Sequence, residues 1–150
     1  MHNIHRIGYR FAFALVMLFC ANLTYAEQPQ VQVIVNNNVN VTTLSESSVR
    51  WIFSMRQTTW QDGSAIKVYV LSKQTPAHQH FCKNVLSMFP YQLERMWNKL
   101  AYSGLGEKPI LVSDSQEMLN MISQEPGAIG YVFSTSLPPL LMTPVMRHCA

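Results

Sequence analysis

The stretch from Ser72 to Pro76 is the part of the sequence whose residue types are best suited to chemistry. It follows a predicted strand and carries two hydroxyl side chains beside the ammonium group of Lys73. Thr75 is a typical N-cap residue and proline is typical of the first helical position, so a helix is predicted to begin at Pro76. Backbone N–H groups at such a start, together with the Ser72 and Thr75 hydroxyls, could hold an oxyanion. The alternative is an ordinary helix cap with a solvated lysine.

Two further polar positions are candidates for the same task. Residues 36–38 are all asparagine and follow Val31–Val35, an alternating, β-branched run that predicts a strand. Because open α/β sheets bind ligands beyond the carboxyl ends of their strands, the Asn36 amide could contact a polar ligand there. The alternative is a plain turn, which asparagine also favours. Ser113 opens a pattern that predicts a capping box at the start of a later helix, and its hydroxyl is the remaining candidate.

His78, His80 and Cys82 lie close together on the helix that begins at Pro76. His78 and Cys82 are four residues apart and could share a face, whereas His80 points elsewhere, and His148 is the only remote histidine near a cysteine. No second cluster completes four ligands, so no metal site is predicted. The sequence also lacks paired carboxylates near a histidine, a nucleophile elbow and a CxxC pair, so neither an enzyme nor a bound cofactor is predicted.

The first 26 residues have the pattern of a cleaved secretory signal. An apolar run, Phe11–Ala21, is followed by a small-residue exit at Thr24–Ala26. Two alternatives remain: lipid modification at Cys20, which the bulky Phe19 disfavours, and a retained membrane anchor, for which the run is shorter than the roughly 20 residues of a spanning helix. A cleaved signal would place the mature chain in the periplasm.

The mature chain, residues 27–150, is long enough for one domain with one core. Removing Arg6 and Arg10 with the signal would leave nine basic against eight acidic residues. This near-neutral balance gives no indication of binding to nucleic acid. Cys82 and Cys149 would then be the remaining cysteines, and in an oxidising compartment they could form a disulfide; the sequence leaves their pairing open.

The elements that must position these side chains converge on one strand. A helix is predicted to end at Gln124, because Pro126 cannot continue it and Gly127 supplies the positive φ of a tight reversal. Ala128–Val132 then runs almost continuously apolar, as a strand buried on both faces does. Gly130 would lie where another backbone or a ligand comes close. The expected setting is a layered α/β domain.

The remaining elements follow from apolar spacing and capping patterns. A capping box with Thr43 as N-cap predicts a helix, and Pro90 begins another. Short strands are predicted at Ile66–Leu71 and Ile110–Val112. The tail after Phe133 contains three prolines around a short apolar run and is interpreted as an edge strand or an extended cover. The predicted inward-facing residues of the three helices are Val49, Ile52 and Phe53; Leu93, Met96, Trp97 and Leu100; and Met118, Leu119 and Ile122.

Three segments resemble the periplasmic phosphate-binding proteins that serve phosphate ABC transporters, specifically the small members of that superfamily. They read SVRWIFSMRQTTWQDGSAIKVYVL, YQLERMWNKLAYSGLGEKP and SDSQEMLNMISQEPGAIGYV, and the last is the most specific. Together they cover roughly residues 31–133, leaving 134–150 as a tail. The resemblance implies a three-layer, periplasmic-binding-protein-like (type 2) single lobe, in which helices flank a mixed sheet, for residues 27–150.

The sequence departs from the family pattern at several points. The family's two-lobed clamshell closes on its anion, whereas residues 27–150 can supply only one lobe, and the segment of the other phosphate loop is missing. The family's S-G-T turn is replaced by Ser72 to Pro76, and Met55 stands where the family usually has glycine.

The leading expectation is an exported, non-enzymatic protein that binds phosphate or a similar oxyanion through Ser72, Thr75, Asn36 and Ser113. It would work with a membrane transporter or sensor protein. The alternative is a ligand-free interaction module for an envelope transporter, porin or sensor. A homodimer that completes the missing lobe would bridge the two.

Overall fold

The structure, a computed structural model, describes residues 30–136; the predicted signal, Cys149 and almost all of the predicted tail lie outside this range. Its helices and strands follow one another in the order that the sequence predicts. The short helix that begins at Pro76 continues directly into a π-helical turn, Phe81–Val85, and a 3-10 turn, Ser134–Ser136, follows the last strand. The elements are β1 (Val31–Val35), α1 (Glu46–Phe53), β2 (Lys67–Leu71), α2 (Pro76–His80), α3 (Pro90–Tyr102), β3 (Ile110–Val112), α4 (Ser115–Gln124) and β4 (Ala128–Phe133).

The four strands form one mixed sheet in the order β1-β4-β2-β3. Strands β4, β2 and β3 are parallel, whereas β1 runs antiparallel to β4, with Val31 opposite Phe133 and Val35 opposite Ile129. The carboxyl ends of β2, β3 and β4 therefore lie side by side where these parallel strands end. We call this side of the sheet the carboxyl edge. The carboxyl end of β1 lies at the opposite edge.

Helical segments cover both faces of β4. Successive side chains of a strand point to opposite faces, so neighbouring residues of β4 contact different helices. Gly130 faces α4, where a Cβ atom on it would lie 2.4 Å from the Met118 sulfur. Tyr131 faces the other way and stacks on Phe81 with ring centroids 3.9 Å apart, while Phe53 of α1 meets its edge at 5.8 Å. The predicted α/β fold with a mixed sheet flanked by helices is confirmed.

The start of α1 differs from the prediction by two residues. Ser45, not Thr43, is the N-cap, and its hydroxyl accepts the Ser48 N–H at 3.1 Å. The helix accordingly begins at Glu46. Both hydroxyl residues suit an N-cap, and the local pattern alone did not separate them.

The reversal from α4 into β4 is confirmed in detail at Gly127, whose φ is +75°. Its carbonyl oxygen accepts the indole N–H of Trp60 at 3.0 Å and the N–H of Lys67 at 3.1 Å. The neighbour that Gly130 accommodates is the Met118 side chain of α4, and the expectation of a backbone or ligand there was wrong.

Candidate anion-binding site

The loop between β2 and α2 is a tight turn held by Thr75. The Thr75 hydroxyl accepts the N–H of His78 at 3.3 Å, as an N-cap does, and donates to the Ser72 carbonyl oxygen at 2.7 Å. The Thr75 N–H donates to the same carbonyl at 2.9 Å. Thr75 as N-cap and Pro76 as the first helical residue are confirmed. We call residues 72–75 the β2–α2 loop.

This loop offers hydrogen-bond donors to solvent. The N–H groups of Lys73 and Gln74, which are exposed residues, find no acceptor among residues 30–136. The N–H of Ala77 also finds none there, although this residue is only 5% exposed. The Ser72 hydroxyl donates to the Gln74 side-chain oxygen, an exposed contact that a stronger acceptor could replace. The Lys73 ammonium lies 3.2 Å from a carboxylate oxygen of Glu94 on α3, and both side chains are about half exposed. Such an exposed ion pair is weak, so Lys73 can change partner at little cost.

Ser113 lies at the same carboxyl edge, because it follows Val112, which pairs with Leu71 just before Ser72. Its surroundings are acidic. The N-cap of α4 is Asp114, not the predicted Ser113, and its carboxylate accepts the Glu117 N–H at 2.9 Å. The Glu117 carboxylate in turn accepts the Ser113 N–H at 2.7 Å.

This arrangement makes the start of α4 a poor place for an anion. The Asp114 and Glu117 carboxylates already accept N–H groups at this helix start, and their negative charges interact favourably with the helix N-terminus. A phosphate near Ser113 would be repelled by Asp114 and Glu117. The Ser113 side chain is therefore a neighbour of the β2–α2 loop rather than a strong ligand in its own right.

Asn36 lies at the opposite edge of the sheet, because β1 is antiparallel to the other strands. Its amide nitrogen donates to the carbonyl oxygens of Ile122 at 2.7 Å and Ser123 at 3.2 Å, and its side-chain oxygen accepts the Asn38 N–H at 2.8 Å. The side chain is buried and its hydrogen-bonding groups are used in capping the end of α4. This position corrects the expectation that grouped Asn36 with Ser72 and Thr75.

Sequence reasoning missed a chain of buried polar groups beneath the loop. Strand β2 pairs with β4 only through Lys67 and Val68, so the N–H of Leu71 is left for the hydroxyl of Tyr131, at 3.1 Å. The same hydroxyl lies 2.5 Å from Nδ1 of His78. On the other side of the ring, Nε2 of His78 lies 3.4 Å from the Cys82 sulfur.

One proton arrangement gives each of the three N–H and O–H donors of this chain an acceptor. The Tyr131 hydroxyl accepts from Leu71 and donates to Nδ1 of His78, and the Nε2–H of a neutral His78 donates to the sulfur of Cys82. All three side chains are buried in the core. The His78–Cys82 spacing was visible in the sequence, but Tyr131 lies 53 residues further along the chain, so no local pattern could identify it as the third member.

Burial keeps each member of this chain uncharged at neutral pH. It lowers the pKa of His78, against a smaller opposing effect of the Glu94 carboxylate. It raises the pKa of the Cys82 thiol to about 12 and also raises the pKa of Tyr131. Cys82 has no disulfide partner among residues 30–136, and the pairing with Cys149 that the sequence leaves open involves a residue outside the described range.

Acidification should therefore destabilise the protein through His78. The pKa of His78 is lower in the folded than in the unfolded chain, so the neutral ring contributes stability above the unfolded value of 6.5, and this contribution is lost as the pH falls towards the folded pKa. Urea unfolding at several pH values between about 8 and 5 measures the loss. His78→Gln should flatten the curve in that range, whereas His80→Gln, which leaves the buried chain intact, should retain the drop.

No group of three or more His, Cys, Asp or Glu residues between residues 30 and 136 could hold a metal ion. A cleft of about 90 Å³ lies at the amino ends of β2 and β3, far from Ser72, and its lining includes Met55 and Lys67. Met55 has a φ of +62°, the left-handed conformation that suits the glycine usual in the resembled family. No helix in the described range is long and apolar enough to cross a membrane.

Comparison with solved structures finds the same fold in proteins of phosphate transport. The likeness to PstS of Borrelia burgdorferi has a TM-score of 0.53 at 13% identity, over 69% of this chain and 40% of that one. A second similar structure is a Clostridium perfringens protein described as a phosphate ABC transporter substrate-binding protein, solved with bound phosphate. Its TM-score is 0.59 at 14% identity, over 73% of this chain and 42% of that one. For an ABC-type phosphate transport receptor of Vibrio cholerae, the TM-score is 0.56 at 13% identity, over 74% of this chain and 43% of that one.

These likenesses establish the fold of the described chain. The chain spans about two fifths of the length of each of these three structures. No protein-family model and no curated protein matches the sequence.

Proposed function

We propose that this is an exported, non-enzymatic protein that binds phosphate or a similar oxyanion at the β2–α2 loop. The observation that carries the proposal is the set of donors at that loop: the N–H groups of Lys73, Gln74 and Ala77 beside the Ser72 hydroxyl. They lie at the carboxyl edge of parallel strands, where open α/β sheets bind ligands. The fold is shared with structures of phosphate-transport proteins, one of them with phosphate bound.

The charged side chains near the β2–α2 loop favour an anion beside Lys73 and disfavour one at the start of α4. Lys73 can turn from Glu94 to the ligand, because the ion pair between them is exposed. Asp114 and Glu117 disfavour an anion at the start of α4. The anion would therefore sit over the β2–α2 loop, with Ser113 at its margin.

The affinity should be modest. Removing water from a doubly charged phosphate is favourable only when many fixed donors replace it, and this loop is open to solvent and offers only a few. We expect binding in the millimolar range, suited to rapid exchange with a membrane partner such as a transporter or sensor. The signal pattern of residues 1–26 supports placing this exchange in the periplasm.

Thermal unfolding across phosphate, sulfate and chloride at fixed ionic strength tests the proposal. Phosphate at a hundredfold excess over its Kd adds about 2.7 kcal/mol of stability, which raises the melting temperature by several degrees. Thr75→Ala removes the N-cap of the loop and should abolish the phosphate-dependent rise. Ser45→Ala removes the N-cap of α1 at a similar cost of about 1 kcal/mol and should leave the rise intact. Equal melting temperatures in all three salts would contradict the proposal.

A second candidate function is an interaction module for an envelope transporter, porin or sensor. The observation that favours it is a run of apolar side chains from the end of α3 to β3 that is open to solvent: Tyr102, Leu105 and Leu111 are 86%, 73% and 66% exposed. Crosslinking in native envelopes should then recover a partner that is lost on Leu111→Lys. A monomer that crosslinks to no other protein would contradict this candidate.

A further inference from the structure

His78 is tied to both ends of the β2–α2 loop, to one through its buried side chain and to the other through its backbone. Through the Tyr131 hydroxyl it is connected to the N–H of Leu71, the last residue of β2. Through its own backbone N–H it is bound to the hydroxyl of Thr75, the last residue of the loop. The ring is 2% exposed, so its protonation state and its hydrogen bonds are set by the protein rather than by water.

The charged and titratable groups around this ring come from several elements. Tyr131 approaches from β4 and Cys82 from the same helical segment, and both are neutral at physiological pH. Glu94, on α3, is the carboxylate that acts on the ring, and it also holds Lys73 of the loop. The Trp97 ring, 6.4 Å from the imidazole between centroids, covers it from α3 without adding charge.

Protonation of His78 is incompatible with this arrangement. The Tyr131 hydroxyl donates its only proton to Nδ1 while it accepts from Leu71. If Nδ1 carries a proton, it can donate to the Tyr131 oxygen but can no longer accept from the Tyr131 hydroxyl, whose proton then loses the buried acceptor it had in Nδ1. A buried hydrogen-bonding group without a partner is destabilising, and a buried imidazolium adds the cost of burying its charge.

We propose that His78 is a pH-dependent latch on the β2–α2 loop. With His78 neutral, the Tyr131 hydroxyl holds the end of β2 and the helix cap together and keeps the loop closed. With His78 protonated, the contact with Tyr131 breaks, the ring turns towards solvent and Glu94, and the loop opens while the rest of the sheet stays intact. The latch acts on the loop itself and does not depend on whether the loop binds an anion.

Hydrogen exchange of individual amides, followed by NMR, tests the latch. The Leu71 N–H is protected by Tyr131, and the Asn36 N–H, bonded to the Ala128 carbonyl at 2.9 Å, reports on the opposite edge of the sheet. After correction for intrinsic exchange rates, protection of Leu71 should fall by up to about tenfold per pH unit below about pH 6.5. Protection of Asn36 should fall less steeply.

His78→Gln is the matched variant, because the glutamine oxygen can still accept from the Tyr131 hydroxyl but the side chain does not take up a proton in this range. It should remove the pH dependence of Leu71 protection, while Lys73 and Glu94 remain in place. His80→Gln should behave as the wild type. Two results would overturn the latch: protection of Leu71 that does not change with pH, or equal losses at Leu71 and Asn36, which would indicate global unfolding alone.

Discussion

Gly127→Ala should lower the free energy of unfolding by about 3–5 kcal/mol, the largest effect that we expect from any single substitution in this chain. A Cβ atom at this position would lie 2.3 Å from the carbonyl oxygen of Ala65, which is backbone and cannot move aside cheaply. The residue also has a φ of +75°, which alanine rarely adopts. Because Gly127 binds the Trp60 indole and the start of β2 through its own carbonyl, any shift would disturb the centre of the sheet.

Gly63→Ala is the matched control. Gly63 has a φ of +83°, but a Cβ atom there would meet nothing within 4 Å. The substitution therefore adds only the conformational strain, about 1–2 kcal/mol. Urea unfolding of the two variants measures the difference. Equal losses would mean that the close approach to Ala65 does not decide the requirement for glycine at the α4–β4 reversal.

Tyr131→Phe should be the second most damaging change, with a loss of about 2–5 kcal/mol although only one oxygen atom is removed. The hydroxyl serves two buried partners, the N–H of Leu71 and Nδ1 of His78, and both would be left without one. Leaving a buried hydrogen-bonding group unpaired costs about 1–3 kcal/mol. Since Leu71 leads directly into the β2–α2 loop, phosphate binding should weaken as well.

Tyr69→Phe tests whether this loss comes from the network rather than from the substitution type. Tyr69 lies on β2 with its ring in the core, but its hydroxyl is not among the fully buried polar atoms and makes no hydrogen bond to any residue in the described range. Its replacement should change the free energy of unfolding by less than about 0.5 kcal/mol. Chemical unfolding at pH 8, where His78 is neutral, compares the two variants. Similar stabilities would contradict the assignment of Tyr131 as the centre of the buried chain.

The features that sequence reasoning predicted correctly are local ones. The reversal at Gly127 and the cap of α2 depend on a few neighbouring residues whose backbone preferences are strong. The face of α1 that contacts the core, with Val49, Ile52 and Phe53 buried, follows from helical spacing. The predicted strand β3 matches the structure residue for residue.

The features that it missed depend on how distant segments are placed. Asn36 was expected at the ligand-binding edge because it ends a strand, but the direction of that strand is set by its pairing with β4, almost a hundred residues further on. Tyr131 was recognised as part of an apolar strand, and nothing near it indicates that its hydroxyl meets His78. Gly130 was correctly seen as a point of close approach, but the partner, Met118, could be identified only from the packing of α4.

An NMR titration of the amide groups with phosphate tests the account most directly, because it reports where the anion binds as well as whether it binds. At fixed ionic strength, phosphate should produce saturable shifts at Lys73, Gln74 and Ala77 that chloride does not produce. The amide signals of Ser115 and Gln116, at the acidic start of α4, should not shift. Saturable shifts confined to the β2–α2 loop would support the proposed site; no saturable shift, or shifts centred elsewhere in the chain, would contradict it.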